Sequence, residues 1–181
     1  MRKKIFLPSG REHELLLGLT AYDNGRLPDI PYASLRKGVL EVMDSELYIP
    51  AEEEGEDVVY DPSNPTWGGS DILFVAVKSY LPRRPRKSLE LYPAIKTSLD
   101  IHHGVDYFFV WMNLYYVTLD LSLRQKEKKS SVDIITNLGE VTPDDLGQKI
   151  ALLLIEKRGR GECLIKPKTK RRQKKEEKLE I

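Results

Sequence analysis

Residues 107–123 read YFFVWMNLYYVTLDLSL, seventeen positions with one charged side chain, Asp120. No other stretch restricts the fold as strongly. Its aromatic and β-branched content suits pleated strands. Asn113 divides it, so the spacing predicts strands at 107–112 and 115–123, close enough to pair as a hairpin. Side chains alternate across a strand. Leu119, Leu121 and Leu123 therefore share one face, and Asp120, Ser122 and Arg124 the other. The uncharged part, 107–119, is 13 residues long and contains Asn113 and Thr118. About 20 residues are needed to cross a bilayer, so this run reads as buried sheet and no membrane partner is expected. A carboxylate flanked by leucines in mid-strand is costly unless it is paired, hydrated or bound to metal.

The rest of the chain supplies flanking elements. With 181 residues, one compact domain and a tail are expected. A short strand is expected at 5–7 and a short helix at 11–19, followed by turn chemistry at 23–25 and 27–31. Ser34 precedes a helix over 35–43, with Leu35, Val39, Leu40 and Met43 on one face. Residues 46–57 read as an acidic loop, 61–69 as a long loop carrying Trp67, and 72–77 as a hydrophobic strand. Segment 81–87 is a basic connector stiffened by Pro82 and Pro85. Helical turns are expected around 89–99, capped by Ser88 or Thr97 and interrupted by Pro93. A third core strand is expected at 132–138. Thr142-Pro143-Asp144-Asp145 is a helix start, and Lys157-Arg158-Gly159 its end. A last strand follows at 162–165. The expected fold class is α/β of the α+β kind, a mixed, mainly antiparallel central sheet flanked by helices. An N-terminal elaboration occupies 1–80, the core 81–165, and a disordered basic tail 166–181.

Charge is unevenly distributed. The chain carries a net +1, but residues 1–37 carry +3, 38–77 carry −10 without one Lys, Arg or His, and 78–181 carry +8. Basic clusters at Arg83, Arg84, Arg86 and Lys87, at Arg124 and Lys126, and in the tail are candidate phosphate contacts. Their plainer reading is solvated connector. The acidic segment 38–77 offers a surface for a basic protein partner, or is a solvated loop. The single cysteine, Cys163, excludes an intramolecular disulfide and fits a reducing, cytoplasmic setting. There is no P-loop, dinucleotide fingerprint, HExxH or GxSxG.

Three acids stand at marked positions: Asp100 where a helical region ends, Asp106 at the entrance to the first strand, and Asp120 inside the second. The text Thr97-Ser98-Leu99-Asp100-Ile101-His102-His103-Gly104-Val105-Asp106-Tyr107, with Asp120-Leu121-Ser122 after it, resembles the restriction-endonuclease-like PD-(D/E)xK nucleases over roughly 88–165. The resemblance implies a restriction-endonuclease-like core and magnesium- or manganese-dependent phosphodiester hydrolysis of nucleic acid, DNA before RNA. Asp100 matches the helix acid, and Asp106 and Asp120 the strand acids that hold the metal. The chain departs from the family at Ser122, where the motif lysine belongs; Lys96 is the expected substitute that orients water. Two alternatives stay open: a catalytically inactive nucleic-acid-binding or assembly subunit, and a protein-interaction module using the acidic segment and Trp67. A homodimer is also open. The plain readings are that Asp106 caps a strand start, that Asp120 is an edge-strand charge, that His102 and His103 are loop residues, and that the aromatic run is core.

Overall fold

A computed structural model describes residues 4–6, 29–49, 58–66, 70–122, 132–137 and 141–164. The expectations for the 11–19 helix, the acidic residues 50–57, Trp67, Arg124, Lys126 and the tail lie outside these residues. So do those for the side chains of Lys87 and Ser122.

The centre is a four-stranded mixed sheet of β4 (Leu89–Pro93), β5 (Tyr107–Trp111), β6 (Tyr115–Ser122) and β7 (Ile134–Asn137), in that spatial order. β4–β5 and β5–β6 are antiparallel and β6–β7 is parallel. The protein is thus an α+β fold. The hairpin turns through Met112 and Asn113, both at positive φ. Tyr107 pairs with Leu119 and Trp111 with Tyr115.

Both faces of the sheet are covered, which is why β5 is buried at every position. On one face, Tyr107, Phe109 and Trp111 meet helices α2 (Ser70–Tyr80) and α4 (Pro143–Arg160). On the other, Phe108 and Val110 meet α1 (Leu35–Met43), α3 (Ser98–His103) and Leu47 of β2 (Glu46–Ile49). A smaller sheet joins β1 (Lys4–Phe6), parallel to β2, and β3 (Val58–Val59), antiparallel to it.

The expected helix over 35–43 forms, but Ser34 at its cap position makes no side-chain cap bond. The 142–145 start behaves as read: Thr142 Oγ1 accepts from the Asp145 N–H at 3.1 Å. The end expected at 157–159 is corrected: the helix runs through Gly159 to Arg160, and Gly161, at φ 67°, closes it in the left-handed conformation. α2 and α4 pack closely, since a Cβ on Gly147 would come within 2.6 Å of Ala76 Cβ. Alanine at 147 would force the helices apart.

Four further expectations are corrected. Residues 72–77 are not a strand but part of α2. Phe74, Val77 and Leu81 recur at helical spacing against the sheet, with Phe74 stacked 6.5 Å from Phe109. Residues 89–93 are a strand rather than helical turns; Pro93 sits at the last position of β4, beyond which the chain turns away. Residues 46–49 are a strand, not loop. From residue 88 onward the order is therefore strand, helix, three strands, helix, and residues 162–164 form no strand.

Candidate functional site

The hairpin register decides where the strand acids lie. Tyr107 opposite Leu119 is the last pair of the β5–β6 ladder, with Asp106 just before β5 and Asp120 one residue past Leu119 on β6. Asp120 shares a face with Thr118, the partner of Phe108, and so lies on the side covered by α3. Asp120 is 1% exposed, on an interior strand between β5 and β7. The edge-strand reading of Asp120 is thereby corrected.

Asp106 has a backbone task. Its N–H donates to Leu119 O at 2.8 Å, and its Oδ2 accepts from the Leu121 N–H at 2.6 Å. The carboxylate takes the place of a ladder carbonyl just where β5 leaves the sheet. That is the strand-capping role, and it holds the Asp106 carboxylate beside the Asp120 backbone.

Lys96 and Asp100 arrive at the same end of the sheet. Ala94, just past β4, donates its N–H to Asp106 O at 2.8 Å, and Lys96 follows two residues later. Lys96 is not in a helix. It is exposed, at φ 58°, immediately before the α3 cap Thr97. Asp100 does not end α3 but sits in its first turn, and its Oδ2 accepts from the Lys96 N–H at 2.8 Å. An acid there suits the positive end of the helix.

His102 and His103 close α3 rather than lying in a loop. The Nε2–H groups donate to Ile30 O and Ala33 O, each at 2.8 Å; a carbonyl can only accept, so each Nε2 carries the proton. Ser98 Oγ accepts from the Ala33 N–H at 2.9 Å. The pair clasps residues 30–33 onto α3.

The basic cluster is at the other end of the sheet. β4 begins at Leu89, opposite Trp111. Five residues separate Asp106 from Trp111, about 17 Å along a strand. Arg86 is engaged there, its Nε donating to Leu81 O at 2.6 Å and its Nη2 to Ser79 O at 2.9 Å. It caps the C-terminal end of α2. Arg83 and Arg84 are exposed. Arg83, Arg84 and Arg86 therefore do not adjoin Asp106 and Asp120.

One ion pair escaped the sequence reading. Lys157 Nζ donates to Asp133 Oδ1 at 2.7 Å and to Tyr116 O at 2.9 Å, and Asp133 Oδ2 accepts from Thr118 N–H and Oγ1. Burial chiefly, then the Asp133 charge, raises the Tyr116 pKa above its ordinary value. Lone acid Asp133 between Val132 and Ile134 was the available signal. Lys157 is held four residues from Asp120, about 13 Å along β6, and so is no replacement for the motif lysine.

Among the described residues, no set of three or more His, Cys, Asp or Glu side chains is grouped to hold a metal. A closed zinc- or calcium-type cage does not fit there. Magnesium is commonly held by one or two carboxylates, with water and substrate phosphate as the other ligands, and Asp106 reaches the backbone beside Asp120 through its bond to the Leu121 N–H. No helix among the described residues is long and apolar enough to cross a membrane. In comparisons with known proteins, no family model, curated protein or solved structure matches this chain.

Proposed function

We propose that the protein is a metal-dependent, nuclease-like phosphodiesterase acting on nucleic acid in a reducing, cytoplasmic setting, with a restriction-endonuclease-like core. The observation that carries this reading is the burial of Asp120 in mid-sheet, 1% exposed, with the Asp106 carboxylate bonded to the N–H of the next residue, Leu121. A buried mid-sheet carboxylate is expensive, and a second one close by adds like-charge repulsion. A cation between them offsets both costs.

In this reading Asp106 and Asp120 hold magnesium or manganese. When bound, the ion supplies a more acidic water and charge stabilisation on phosphate. Asp106 keeps its geometry through the Leu121 bond. Asp100 steers the Lys96 backbone, so that the exposed Lys96 ammonium orients water or a phosphate oxygen at the rim. DNA is the preferred substrate class and RNA the comparison.

The test is cleavage of single- and double-stranded DNA and RNA with magnesium or manganese, beside calorimetric titration of each ion. Asp120→Asn is expected to lower cleavage by on the order of 100-fold or more and to remove ion binding, with the circular dichroism spectrum unchanged. Cleavage that survives both Asp106→Ala and Asp120→Ala sinks the assignment.

A second reading is a catalytically silent nucleic-acid-binding subunit. It is favoured by the ladder role of the Asp106 carboxylate and by the distance between the acids and the described arginines. It predicts salt-sensitive binding without turnover.

A further inference from the structure

The outer surface of α2 and α4 is apolar where a solvent-facing helix pair should be polar. Ile72 and Val75 on α2 are 59% and 63% exposed, and Leu152 and Ile155 on α4 are 59% and 37% exposed. Each pair is spaced i, i+3 and so forms one ridge of its helix.

The helix contacts bring the ridges together. Tyr80 Oη donates to Asp144 Oδ2 at 2.6 Å, and Ala76 meets Gly147. α2 and α4 therefore run antiparallel, which sets Ile72 level with Leu152 and Ile155. Contiguous exposed apolar surface of this kind marks an interaction site.

The charges on α4 indicate what covers it. Besides Asp144, bonded to Tyr80, and Arg158, beside the Trp111 ring, the exposed charges of α4 are Asp145, Lys149, Glu156 and Arg160, in the order acid, base, acid, base. The pattern reverses sign about the point between residues 152 and 153. If a second α4 is laid antiparallel over the first with Leu152 near the centre, Asp145 faces Arg160 of the other copy and Lys149 faces Glu156 of the other copy. Every facing pair is then of opposite sign. A two-fold contact demands such self-complementarity.

We propose that this face is a homodimer interface, formed by α4 packing antiparallel on α4 of a second copy about a two-fold axis beside Leu152. Leu152, Ile155, Ile72 and Val75 make its apolar centre, and the four charged residues its rim. Arg160 already pairs with Glu156 within its own helix, so the rim becomes a network across the axis.

The size is adequate. Helices of 18 and 11 residues, at 1.5 Å rise and about 10 Å width, outline roughly 400 Å² per protomer. Side-chain ridges raise the accessible area, bringing two facing copies near the ~1,000 Å² of a specific interface.

The test is sedimentation equilibrium of the full chain over a concentration series. Twice the chain mass, falling to monomer on dilution, is expected. Leu152→Glu and, separately, Ile72→Lys should raise the dimer dissociation constant by on the order of tenfold or more, with an unchanged thermal melt of the monomer. Lys149→Glu should also weaken the dimer, and Lys149→Glu combined with Glu156→Lys should restore it. A monomer at every concentration overturns the proposal. So does a dimer indifferent to Leu152→Glu and Ile72→Lys, or one that the double exchange fails to restore.

Discussion

The two ends of the central sheet are built from opposite materials. At the Asp106 end stand Asp106 and Asp120, with Asp100 and Lys96 on the adjoining turn. Asp120 is buried, Asp106 and Asp100 are half-buried and Lys96 is exposed. At the Trp111 end, the connector 81–87 and the last turn of α4 converge on the hairpin. Trp111 Nε1–H donates to Pro85 O at 3.1 Å, and the Arg158 guanidinium lies 5.3 Å from the Trp111 ring centre. The first end concentrates negative charge where burial makes it expensive. The second keeps positive charge at the surface, where it costs little. In the proposed reading the acid end supplies the chemistry and the arginine end the binding.

The largest expected effect lies at the arginine end and concerns stability. Trp111 is fully buried and ties three segments together. Trp111→Ala should cost about 3–5 kcal/mol, read by urea or thermal unfolding. A loss under about 1 kcal/mol would show that the connector and α4 hold the hairpin without it.

The acid end predicts a smaller stability effect with a sharper chemical contrast. Asp106→Ala removes the acceptor for the Leu121 N–H and should cost about 1–3 kcal/mol. Asp106→Asn keeps a side-chain oxygen for that bond while removing the charge. It should melt within about 1 kcal/mol of the parent, yet bind no magnesium or manganese. If Asp106→Asn binds the ion as the parent does, Asp106 is a strand cap and nothing more.

The hairpin was legible because its placement is local. A tight turn around residue 113 pairs Trp111 with Tyr115 and Tyr107 with Leu119, and strand alternation gives Asp120 its face. The start of α4 was legible for a similar reason, as its capping residues act within four positions. α2 was misread because Ile72 and Val75, which should have been polar on an amphipathic helix, are apolar and outward-facing. A short apolar run then has no period to separate helix from strand. The misreading of 89–93 had a longer reach. Only once that segment pairs with β5 does the connector fall at the Trp111 end, so its arginines could not be placed earlier. The ladder bond of Asp106 and the Lys157–Asp133 pair depend on contacts over 15 and 24 residues, for which the local pattern carries no information.

The smallest effect on the fold, and the one that most directly tests the division between ends, concerns Arg83 and Arg84. Both are exposed, and neither makes a hydrogen bond or ion pair among the described residues. Replacing either with alanine should therefore change stability by less than about 0.5 kcal/mol. If they contact phosphate, each replacement should weaken nucleic-acid binding similarly for all sequences. It should also reduce the slope of log affinity against log salt by about 1. Arg86→Ala should behave differently. Its guanidinium holds the carbonyls of Ser79 and Leu81, so it should lower the melting temperature while leaving the salt slope nearly unchanged. Equal slopes for all three variants and the parent would remove phosphate binding from this end. A reduced slope for Arg83→Ala and Arg84→Ala, with magnesium-dependent cleavage per bound complex intact, would establish that the two ends hold and act on nucleic acid separately.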